Sequence, residues 1–108
     1  MDIQTIINQM MGAAGKVITG KKWDQAKVYA ENEFKNFTND LLLIKQLYDA
    51  GKITQDRAIA HVKFQKDSME TVLIAIEGLG ILLVQDAINA ALDAAKQTVN
   101  KSIGFALL

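Results

Sequence analysis

From Ala30 onward, apolar side chains recur at Phe34, Phe37, Leu41, Ile44 and Tyr48, in steps of four, three, four, three and four. Such spacing keeps them on one face of an α-helix. Extended backward, the same steps reach Lys27 and Trp23, and predict a helix over about residues 22–50. Its end is marked by Gly51 after Asp49-Ala50, since glycine readily takes the left-handed conformation that closes a helix. Thr54 suits the N-cap of a following helix, and Asp56 complements the positive end of its dipole. So short a connection predicts an antiparallel helical hairpin.

The next helix is predicted over about residues 55–100. Ile59, Val62, Met69, Leu73, Ile76, Leu83 and Ala87 keep heptad-like spacing. Between Val72 and Val84 the stripe widens until Glu77 is the only charge in a run that is apolar almost all round. A helix greasy on every side must be covered on every side. Gly78 and Gly80 lie within it, each costing about 1 kcal/mol relative to Ala in a helix interior, so a bend there, or close approach by another backbone, is expected. A first amphipathic helix is predicted over about residues 2–19, with Ile3, Ile6, Ile7, Met10, Ala14 and Val17 on its apolar face. The apolar segment Ile103 to Leu108 is expected to dock, since loose ends are usually polar.

The expectation is therefore a single all-α domain over residues 1–108: an antiparallel hairpin with an additional N-terminal helix. Two arrangements satisfy the pattern. One is a three-helix bundle. The other is an elongated rod of about 70 Å at 1.5 Å per residue. Both leave the apolar run short of cover within one chain, so a homo-oligomer is expected. The surfaces expected to mediate it are Leu73, Ile76, Leu79, Ile81 and Leu82, together with the small-residue ridge Ala87, Ala91 and Ala95. In a hairpin centred near Lys52, facing positions sum to about 104, as Lys27 and Glu77 do. Each is a charge on an apolar face, and together they predict a core ion pair that fixes helix register.

Composition narrows the chemistry. Twelve Lys and Arg balance twelve Asp and Glu, which argues against nucleic acid as a partner, because duplex binding depends on many cations displacing counterions. There is no Cys, so disulfide scaffolds and thiolate zinc sites are excluded. The opening Met1-Asp2-Ile3-Gln4 has neither the basic start nor the apolar core of a signal peptide, and the cytoplasm is the expected compartment.

Catalytic constellations are sparse. The single histidine, His61, and Ser68 are seven residues apart, about 10 Å along a helix, too far for a nucleophile–base contact. A ferritin-like carboxylate metal site would draw on Glu33, His61 and Glu70, but Ala58 stands where a Glu-x-x-His pair needs its glutamate. Gly78-Leu79-Gly80 lacks the lysine and hydroxyl of a phosphate loop, and Gly12 and Gly15 fail the same test. A membrane span from Thr71 to Ala95 would enclose Glu77, Asp86 and Asp93 at about 2.5–3.5 kcal/mol each near the bilayer centre. The leading expectation is a non-enzymatic helical assembly or adaptor protein, without a cofactor, acting by self-association or by binding a helical partner. The alternatives are an intersubunit carboxylate metal site and a peripheral membrane-active helix.

Overall fold

A computed structural model describes residues 1–108. The chain is all-helical, with four helices rather than three: α1 (Ile3–Val17), α2 (Gly20–Asp49), α3 (Gln55–Ile74) and α4 (Ile81–Ile103). Each helix packs on its neighbours in sequence, and α1 and α4 share the most extensive interface, which closes the bundle. The molecule measures 44 × 22 × 18 Å, so the extended rod does not form.

Local chemistry sets the helix ends. The Asp2 carboxylate accepts the Thr5 backbone N–H at 3.1 Å and caps α1. That bond holds the Asp2 carboxyl below its ordinary range. The α2–α3 turn follows its sequence closely. Gly51 takes φ +72°. The Lys52 N–H donates to the Leu47 carbonyl at 2.8 Å and the Gly51 N–H to that of Tyr48 at 3.0 Å, which is a Schellman closure. The Thr54 hydroxyl accepts the Arg57 N–H at 3.2 Å and starts α3.

The continuous helix expected over 55–100 is interrupted at residues 75–80. Gly78 has φ +88°, a left-handed conformation that side-chain-bearing residues disfavour by about 1–2 kcal/mol. Gly80 then occupies the N-cap of α4 in an extended conformation. The apolar run thus divides into a helix end, a turn and a helix start. Folding back lets the chain bury Leu73, Leu79 and Val84 by itself. The apolar run is thus covered in part from within, and Val72, Ile81 and Leu82 stay exposed.

The core runs through all four helices. On α2 the buried positions are Ala26, Ala30, Phe34, Phe37, Thr38, Leu41 and Ile44. The predicted seam holds from Ala30 to Ile44, but its backward extension fails: Ala26 is buried and Lys27 is not. A straight helix drifts relative to a strict seven-residue repeat, and the inward position moves by one. The same shift puts Ala58, not Ile59, in the core of α3. Thr38, the one buried polar side chain, donates to the Phe34 carbonyl at 2.7 Å and is satisfied there.

The small ridge Ala87, Ala91 and Ala95 is fully buried within the chain. Small side chains on α4 allow close approach of α1, and the two run antiparallel, with Gln9 Nε2 donating to Thr98 Oγ1 at 3.1 Å. Gly15 of α1 plays a related part toward α2. A Cβ there would sit 3.0 Å from the Trp23 ring, so glycine makes room for the indole.

The last segment docks. Phe105 lies against Tyr48 with ring centroids 4.8 Å apart, and Leu107 is buried. Asn100 holds the segment in place, its Oδ1 accepting the N–H groups of Leu107 and Leu108 at 2.9 Å each. Net hydrogen-bond contributions of about 0.5–1.5 kcal/mol each predict that Asn100→Ala destabilises the fold by about 1–3 kcal/mol. Asn100→Asp, which retains acceptor oxygens, is expected to do less harm. Hydrogen exchange at Leu107 and Leu108 checks this: protection should fall first there in the alanine variant.

Candidate interaction surfaces

The structure separates the residues marked out in the sequence. Leu73, Leu79, Ala87, Ala91 and Ala95 belong to the core, and Ile76 is half-buried. None of these six presents a free face. Ile81 and Leu82 are different: both are exposed in the first turn of α4, Leu82 at 75%. The exposure of Leu82 follows from helix geometry. Leu82 stands two residues before the buried Val84, and a two-residue step turns about 200° around the axis.

Lys27 and Glu77 do not meet, and the proposed core pair is corrected. Lys27 is exposed and pairs with Asp24 at 3.8 Å. Glu77 is exposed in the α3–α4 turn. The hairpin relation fails for them because α3 ends at Ile74, before it reaches the level that Glu77 would need. Within one chain the residues of the metal alternative are not assembled either. Glu33, His61 and Glu70 do not converge, and no group of three or more His, Asp or Glu side chains lies close enough to hold an ion. His61 is exposed, with its Nε2 3.2 Å from the Gln65 amide nitrogen. No helix is long and apolar enough to cross a membrane.

Further apolar groups are exposed, of which Phe64, Val28 and Tyr29 had no place in the sequence reading. Phe64 of α3 is 69% exposed, and Val72, on the same side two turns later, is partly exposed. With Asp67, Ser68 and Thr71 they frame a shallow depression on the outer surface of α3. Val28 and Tyr29 of α2 are exposed as well. A signal for Phe64 exists in the sequence. The α3 core positions Ala58, Val62, Met69 and Leu73 follow four- and seven-residue steps, and Phe64 fits none of them.

Two grooves flank α3. Between α2 and α3 a space of about 250 Å³ is lined by Leu43, Ile44, Leu47 and Ile53, with Arg57 and His61 at its rim. The larger groove, about 560 Å³, lies between α3 and α4. Val62, Leu92 and Leu107 give it an apolar lining, while Lys63, Lys66 and Lys96 surround it. The ion pairs of the molecule are Lys27–Asp24, Lys35–Glu31 and Lys45–Asp49, so these three lysines are unpaired.

No known protein family, curated protein or solved structure matches this chain. Its function is therefore argued from its own surface.

Proposed function

We propose that this protein is a non-enzymatic helical assembly module of the cytoplasm that acts by associating with a second copy of itself. The observation that carries this reading is the exposure of Phe64 and Val72 on α3 and of Ile81 and Leu82 across the turn on α4. A two-fold interface uses the same patch on both copies, and apolar side chains meeting their like leave no charge unpaired. Zero formal net charge removes the long-range repulsion that keeps like chains apart.

Magnitudes set the expected strength. Complete burial of a large apolar side chain contributes about 1.5–3 kcal/mol. Both copies contribute all four, each partly buried already, so about 7–15 kcal/mol stands against an association cost of about 4–15 kcal/mol. The surplus is small, so association is reversible and concentration-dependent. Sedimentation equilibrium over a micromolar concentration series should show mass rising above 11.9 kDa. Leu82→Lys and Phe64→Lys should return the mass toward the monomer with helical circular dichroism unchanged. A monomer mass throughout the series, or no response to either lysine, overturns the proposal.

A further inference from the structure

The α3–α4 groove combines features that self-association does not use. Its lining spans Ile59 to Lys66 on α3 and Asn89 to Lys96 on α4, two turns of each helix or about 10 Å. The docked segment after α4 contributes Leu107 as a further wall. At about 560 Å³ it falls within the roughly 300–1,000 Å³ typical of small-molecule sites. The lining carries three unpaired lysines and one acid, Asp93, so it is positive in a molecule that is neutral as a whole, with Asp67 and Glu70 four residues beyond Lys63 and Lys66 on α3. Lys66 is half-buried, as a stem laid along the apolar lining with its charged head toward water would be.

We propose that this groove binds one fatty-acid-like amphiphile, its unbranched alkyl tail laid on Ile59, Leu92 and Leu108 and its carboxylate held among Lys63, Lys66 and Lys96. Charge complementarity selects the anionic head, and the short apolar lining selects a tail of medium length. Three cations bordering one compact groove suit a single small head group better than the spaced acids of a helix. The site is separate from the proposed self-association face. Phe64 is two residues from both Val62 and Lys66, so it points almost the opposite way around α3.

Isothermal titration of the full chain with sodium decanoate, below its micelle concentration, tests the proposal. The expected result is saturable binding at one site per chain, weakening as ionic strength rises. Affinity should fall by about fourfold per methylene removed between decanoate and octanoate. Decanol, with the same tail and no charge, should bind at least about tenfold more weakly, the lower end of what charged partners give over neutral ones. The double variant Lys63→Glu/Lys66→Glu should lose at least about tenfold, while Arg57→Glu at the other groove should not change affinity. Any of four results overturns the assignment: no binding, equal binding of decanol, unaltered affinity in the double variant, or loss confined to Arg57→Glu.

Discussion

Replacing Phe34 with alanine is expected to remove about 3–5 kcal/mol of stability, the range for losing a fully buried aromatic ring. Phe34 is 0% exposed and sits in the middle of α2, the longest helix of the bundle. The cost has two sources. The ring loses its transfer out of water, and the space it leaves is only partly filled because close-packed neighbours relax little. A domain of this size has about 5–15 kcal/mol in total, so the variant should sit near the edge of folding. Phe64→Ala supplies the contrast, because the same residue type there is 69% exposed. A surface change of that kind is expected within about 0.5 kcal/mol. Urea unfolding followed by circular dichroism distinguishes the two. Equal losses at Phe34 and Phe64 would contradict the packing described.

The second large effect is topological. Gly78→Ala/Gly80→Ala is expected to convert the monomeric fold into a domain-swapped dimer with α3 and α4 continuous. Alanine at the left-handed position costs the turn about 1–2 kcal/mol. In an uninterrupted helix each Gly→Ala change contributes about 1 kcal/mol. Together these shift the balance by about 3–4 kcal/mol toward the straight form, a few hundredfold. A straight α3–α4 helix uncovers the core of its own chain, and only exchange with a second copy restores the same contacts. The dimer should be elongated in small-angle scattering and should persist on dilution, unlike the reversible association proposed for the native chain. Gly78→Asn, which tolerates the left-handed conformation, should keep the native shape. A double-alanine variant with native dimensions would refute the role given to the turn.

That turn also shows where sequence reasoning reached its limit. The Gly51–Thr54 connection was legible because its chemistry is local: a left-handed closure, a hydroxyl cap and an acid in the first turn. The seam from Ala30 to Ile44 was legible because one helix face repeats without interruption. The α3–α4 break was obscured because apolar residues on both sides kept helical spacing across it. Two clues pointed the other way. A helix of some 46 residues greatly exceeds the 8–20 usual in globular domains. Two glycines separated by one residue are costly inside a helix and inexpensive in a turn. The surfaces were harder still. Leu82 and Ile81 stand out as apolar in the sequence, but their exposure depends on where α4 begins. Of the lysines of the α3–α4 groove, Lys63 and Lys66 stand one turn apart on α3, and the distant Lys96 joins them only when α4 folds back along α3.

The closure of the bundle by its first and last helices has a consequence for synthesis. Contacts between distant segments are slow to form, because loop-closure entropy is spent before they stabilise anything. At roughly 5–20 residues per second, α1 waits several seconds before residue 103 has been made. During that interval Ile6, Ile7, Met10 and Ala14 have no α4 to cover them. The nascent chain thus presents an amphipathic helix to the ribosome surface and to chaperones, and only the last turns of α4 withdraw it.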